Sequence, residues 1–183
     1  MSTVFLVTGQ ICAGKSSVAK IIEKHSNAVR LSIDELMRKK DPNKLIYKIP
    51  EDDVISRNMY NTVLKIADYI IDENINIVLD CCFYRKYDRT DYIKLLKDKK
   101  CGVHIVYVKC SDNIIQNRLH IRNDNLPNDA FRILLEEYNC AKKFFDEPTE
   151  EEISILINND MNYEDMEEDL INQLDNLSKN AIK

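Results

Sequence analysis

The sequence predicts a three-layer α/β/α sandwich around a five-stranded, mainly parallel sheet, with a small helical lid. Three observations carry that expectation. Short, β-branched apolar runs alternate with segments of helical periodicity along the chain, and such β-α alternation is what a parallel sheet covered by helices requires. The apolar runs are continuous, as in strands buried on both faces. Two of the chain's three glycines, Gly9 and Gly14, stand where the first strand should give way to the first helix.

The elements follow in order. Residues 3–8 (TVFLVT) read as a buried strand, and Val18, Ala19, Ile21 and Ile22 mark one face of the helix after Gly14. Residues 28–32 are a short second strand. A helix begins at Asp34 and Pro42 limits it. Ile55, Met59, Val63, Ile66 and Ile70 recur at helical spacing and predict a helix over 54–73. A third strand (75–80), a helix (88–99), a fourth strand (102–109) and a helix (111–121) come next. Phe131, Leu134, Leu135, Tyr138, Ala141 and Phe145 predict a helix over 128–146, and residues 152–158 a fifth strand. The tail, 161–183, repeats Tyr163, Met166, Leu170, Leu174 and Leu177, with acidic residues first and Lys179 and Lys183 last, a charge order that suits a helix dipole. The expected organisation is one domain over 1–160, its lid at about 118–130, with the amphipathic tail helix packed on it; the alternative is a tail helix that docks a partner.

Composition narrows the function classes. A chain of 183 residues with 44% hydrophobic residues can build one packed core. No apolar run reaches membrane-spanning length, and the N-terminus lacks the basic start of a signal peptide. The net charge of −5 argues against extensive non-specific nucleic-acid binding, though not against a grip on one nucleic-acid end. Cysteines 12, 81, 82, 101, 110 and 140 form no C-x-x-C pair and the histidines are scattered, so free thiols in a reducing cytoplasm are expected rather than disulfides or zinc.

The stretch Gly9-Gln10-Ile11-Cys12-Ala13-Gly14-Lys15-Ser16, followed by Ser17, fits G-x-x-x-x-G-K-S between a strand and a helix, the context that gives the motif its meaning. Its glycines let backbone N–H groups converge on an anion, and the helix start adds partial positive charge. Lys15 would reach the β- and γ-phosphates of ATP, and the Ser16 hydroxyl would ligate Mg²⁺. A pattern this short also arises by chance, but at a strand–helix junction it predicts a phosphate loop that binds nucleotide.

Phosphoryl transfer needs more than a cradle. Asp34, after strand two, is either the general base for an acceptor hydroxyl or a helix cap. Asp80, ending strand three, either holds Mg²⁺ or is a turn residue. Arg118 and Arg122, four apart, either clamp phosphates from one helix face or are solvated. Arg38 and Arg85 join Asp34 and Asp80 as acceptor-side candidates, although Arg85 and Arg89 also read as solvated charges at a helix start. The polar stretch NDNLPND suits a mobile lid.

These landmarks (GQICAGKSS, LSID, IVLD, RLHIR and LPNDAFRILLEEY) make the chain resemble the polynucleotide-kinase/zeta-toxin-like group of P-loop kinases, an AAA-type ATP-binding lineage, over about residues 3–145. The stretch FFDEPTEEEISILIN resembles the ending of small bacterial kinases in that group. The resemblance implies ATP/Mg²⁺-dependent phosphorylation of a hydroxyl. Lys15 and Ser16 would serve ATP and Mg²⁺, Asp34 would be the base, and Arg122 with Arg118 the lid arginines. It also implies a central cradle strand, with the Asp34 strand near one edge. Two departures fall on the acceptor side: Met37 stands where the group commonly has arginine, with Arg38 one step later, and Cys81-Cys82 replace a small polar residue and asparagine. The acceptor expected is a nucleoside, a polynucleotide 5′-end or a small metabolite; the alternative is a nucleotide-binding switch or partner-binding module without acceptor.

Overall fold

A computed structural model of the chain describes residues 1–40, 54–96, 99, 101–126 and 131–180. The strands are β1 (Ser2–Thr8), β2 (Val29–Ser32), β3 (Ile77–Asp80), β4 (Cys101–Lys109) and β5 (Ile153–Asn158). They pair in the order β2-β3-β1-β4-β5, and every pairing is parallel. The cradle strand β1 is therefore central and β2, which leads to Asp34, lies at an edge. The helices are α1 (Lys15–His25), α2 (Ile33–Lys40), α3 (Val54–Asp72), α4 (Lys86–Leu95), α5 (Asp112–Asp124), α6 (Leu135–Lys143) and α7 (Tyr163–Asn180). None among the described residues is long and apolar enough to cross a membrane.

The core follows from the continuous apolar runs. Val4, Leu6, Val7, Ile77, Val78, Leu79, Val106 and Val108 are buried from both sides of the sheet. Edge strand β5 buries Ile155 and Ile157 and exposes Leu156. From α7, Met166, Leu170 and Leu174 enter the same core, and the Gln173 amide pairs with the Leu156 backbone in both directions, 2.9 and 3.3 Å. The helix thereby covers hydrogen-bonding groups that a sheet edge would leave open.

Two expectations need correction. The helix expected over 128–146 begins only at Leu135. Phe131 and Ile133 are buried without being helical, while Leu134 and Leu135 are exposed. The cause is competition for the backbone. The Asn123 side chain donates to Ile133 O (2.7 Å) and accepts from Ile133 N (3.2 Å). The Glu137 carboxylate accepts from Leu134 N–H at 3.0 Å, capping the helix there. Arg89, read as solvated, is fully buried instead, because α4 starts at Lys86 and turns that side chain inward. The expected stop at Pro42, residues 127–130 of the expected lid and the end of the tail at 181–183 lie outside the described residues.

Candidate active site

The ends of β1, β2 and β3 open into a cleft of about 240 Å³ lined by the phosphate loop, Asp34, Asp80, Cys82, Tyr84, Arg118, Arg122 and Ile133. Its floor is the segment between Thr8 and Lys15. Gly14 takes a left-handed conformation (φ 98°) as N-cap of α1, and no side chain caps that helix, so the helix start faces the cleft with donor groups available for an anion. A Cβ on Gly14 would collide with the Asn159 amide, and one on Gly9 with the Val108 carbonyl; both glycines are required by close approach. The loop is also tied from outside. Asn159, just past β5, donates to Ala13 O at 2.7 Å, and Tyr138 of α6 bonds the Gln10 side chain at 3.2 Å and Asp112 at 2.9 Å. The Lys15 ammonium, largely buried, donates to Gln10 O at 2.7 Å and lies 5.8 Å from the centre of the Tyr84 ring.

Two carboxylates face this loop. Asp34 is pushed up to about 6, first by removal from water and then by the charge of Asp80, against the pull of Lys15 and Arg122. Asp80 is buried and its Oδ2 accepts from Arg30 at 3.1 Å. Arg30, reaching in from β2, also pairs with Glu35 and, at 3.4 Å, with Glu23. One guanidinium thus serves three carboxylates behind the cleft.

The arginines of α5 lie on one face, as their spacing predicts, and both line the cleft. Arg118 donates to Asn159 O (2.9 Å) and Ala13 O (3.4 Å). Arg122 donates to Phe131 O at 3.2 Å and approaches Cys12 Sγ at 3.8 Å, while its buried Nε has no hydrogen-bond partner among the described residues. Arg38 and Arg85 are not among the described residues lining the cleft. Arg38 lies over the Phe131 ring (5.7 Å) and Arg85 over the Phe144 ring (4.6 Å), with Asp146 3.9 Å away.

The wall opposite α5 is the turn after β3. Cys82 and Phe83 both have positive φ, 72° and 41°, a conformation that costs free energy unless neighbours hold it. Here Thr8 Oγ1 approaches Cys82 O and Phe83 O (3.0 and 3.1 Å), and Arg89 donates to Phe83 O at 3.1 Å while pairing with Glu152 at 3.1 Å. Burial pushes the Cys82 thiol up to about 12, so it stands in the wall as a neutral group.

Sequence reasoning missed Arg30, Asn159, Tyr84 and Tyr138. Two of them left a trace. Arg30 is a charge inside an otherwise strand-like run, and Asn159 is a polar residue at the carboxyl end of a buried strand, where ligands of such sheets collect.

The profile of the AAA domain family matches residues 4–148. Among solved structures, the chain is similar to a sugar kinase from Janibacter sp., with 12% identity and TM-score 0.71 over 96% of this chain and 95% of that one. It is similar to a gluconokinase from Sinorhizobium meliloti, with 16% identity and TM-score 0.69 over 98% and 95%. It is also similar to the Mycobacterium tuberculosis APS kinase in complex with AMPPNP and APS, with 14% identity and TM-score 0.64 over 95% and 98%. These likenesses bear on the fold: a five-stranded parallel sheet of P-loop kinase type.

Proposed function

The chain belongs to the AAA domain family, and from that premise we propose that it is an ATP- and magnesium-dependent kinase of the polynucleotide-kinase/zeta-toxin-like group, acting on a hydroxyl and working in the cytoplasm. The observation that carries this reading is the meeting, in one cleft, of the phosphate loop, Asp34 and two arginines of α5. A switch that only holds nucleotide has no need of a carboxylate poised near neutrality opposite its lysine. The kinase likenesses in fold agree with the reading.

In this proposal the loop N–H groups and the start of α1 bind the β- and γ-phosphates, and the Lys15 ammonium exchanges Gln10 O for phosphate oxygen. The Ser16 hydroxyl and the Asp80 carboxylate are the oxygen donors that fit magnesium, which when bound screens phosphate charge. Arg30 holds one Asp80 oxygen and leaves the other toward the cleft. Asp34 takes the proton of the acceptor O–H as that oxygen bonds to the γ-phosphorus and the bond from phosphorus to the ADP oxygen breaks. Arg122 and Arg118 balance charge on the transferring group. The domain spans 1–160, with the lid at about 118–130.

The test is transfer from γ-labelled ATP to nucleosides, oligonucleotide 5′-ends, sugars and hydroxyl-bearing antibiotics, alongside nucleotide binding. Label is expected on one acceptor class and should vanish in Asp34→Asn, while ATP affinity stays within a few-fold. Tight ATP binding with no acceptor labelled, and ATP turnover indifferent to Asp34→Asn, would sink the reading.

A further inference from the structure

The charges around the cleft bear on which acceptor it takes, an inference that rests on the kinase reading. The described cations of the lining are Lys15, Arg118 and Arg122: Lys15 is on Gln10 O and beside the Tyr84 ring, Arg118 on Ala13 O and Asn159 O, Arg122 on Cys12 Sγ and Phe131 O, and in the proposed reaction all three serve the phosphates of ATP. The remaining wall is Asp34, Asp80, Cys82 and Tyr84. That wall offers two carboxylates, a thiol and an aromatic ring, and among the described residues no cation beyond the three that serve ATP.

The arginines that sequence spacing offers for an acceptor anion are not among the described residues lining the cleft. Arg38 is stacked over Phe131, and Arg85 over Phe144 beside Asp146. Position 37 cannot serve either, because Met37 is packed in the core. Arg30 stands behind Asp80, but it already answers Asp80, Glu35 and Glu23. Once a magnesium nucleotide with its two net negative charges is seated, three cations and two carboxylates no longer leave the described cleft positive.

We propose that the acceptor is a neutral or cationic hydroxyl compound, one with no phosphate or carboxylate beside the hydroxyl that receives the phosphoryl group. An acceptor anion would face Asp34, Asp80 and the incoming γ-phosphate while the described cations of the lining are committed to the phosphates of ATP. One uncompensated like charge in a partly dehydrated cleft is expected to lower kcat/KM at least about tenfold. A cationic acceptor gains from the same wall through the carboxylates. The inference places a nucleic-acid 5′-end, whose nearest phosphodiester is anionic, on the disfavoured side.

The test uses the full chain with γ-labelled ATP and acceptors that share a hydroxyl and differ in charge: thymidine against thymidine 3′-phosphate, and glucose and glucosamine against glucuronate. The expected result is labelling of a neutral or cationic member at least about tenfold faster, in kcat/KM, than its anionic counterpart. Equal or faster labelling of an anionic member overturns this inference and leaves the kinase reading intact. If ATP binds tightly and no member of either set is labelled, and Asp34→Asn leaves ATP turnover unchanged, the kinase reading fails and this inference with it.

Discussion

Removal from water and the nearby Asp80 charge push the Asp34 carboxyl up to about 6, so near neutral pH the folded chain holds a carboxylate that its surroundings disfavour. A carboxyl whose pKa rises on folding destabilises the fold only when ionised. The cost is absent below about pH 4, grows as pH rises through the window up to about 6, and is complete above it. Asp34→Asn is therefore expected to stabilise the nucleotide-free protein above pH 6 by about 1–2 kcal/mol once partial hydration is allowed for, raising its Tm, with the gain gone by pH 4. Thermal melts across pH check this, and a variant no more stable at pH 8 than at pH 4, relative to wild type, would contradict the burial argument. In the proposed reaction the same group must be ionised to take a proton, so kcat/KM should fall as pH drops through about 6, and Asp34→Asn should lower kcat by about 10²-fold or more. The place of Asp34, just past the second strand, was legible because that signal is local, whereas its role as base came from the resemblance and not from its spacing. Its partners were not legible. Arg30 reaches Asp80 across 50 residues of chain and Asn159 reaches Ala13 across 146, and no spacing rule spans such distances.

At the scale of elements, the turn after β3 is held by a pair that the sequence hid. Arg89 is fully buried with Glu152 as its charged partner and Phe83 O as a further acceptor. Removing one member leaves the other charge uncompensated, so Glu152→Leu is expected to destabilise by about 3–5 kcal/mol. The double variant Arg89→Met/Glu152→Leu should recover a good part of that, because an apolar pair needs no compensation. Denaturant unfolding of both singles and the double closes the cycle; a double variant weaker than either single would mean that the guanidinium's grip on Phe83 O matters more than the pairing. The same scale explains the shortened α6. Hydrophobic periodicity reads Phe131 through Phe145 as one helix, since Phe131, Leu134 and Leu135 fall at helical spacing. The backbone of Ile133 is instead tied to Asn123 of α5, a contact made only after the two segments meet.

For the whole molecule, the tail decides whether residues 1–160 are a complete folding unit. α7 brings Met166, Leu170 and Leu174 into the core and covers the open side of β5 through Gln173. Deleting 161–183 should therefore expose Ile155, Ile157 and an unpaired strand edge and yield an aggregated or unfolded product. A soluble, cooperatively melting monomer from that deletion would instead support a tail that serves a partner. The global order β2-β3-β1-β4-β5 is also what brings Ser32, Asp80 and Thr8 to one end of the sheet, so that three separate stretches of chain share one cleft. The sequence by itself determined the strand and helix alternation, the parallel sheet, the phosphate loop and the position of Asp34. Each is written in periodicity or in punctuation within a few residues, and the physics that reads it is local. Only the tertiary structure decided which charge answers which: Arg30 with Asp80, Arg89 with Glu152, Asn159 with the loop, and Arg38 and Arg85 on the rings of Phe131 and Phe144. Pairing and desolvation depend on which strand ends lie side by side, a fact that exists only once the sheet is closed up and its flanks are packed.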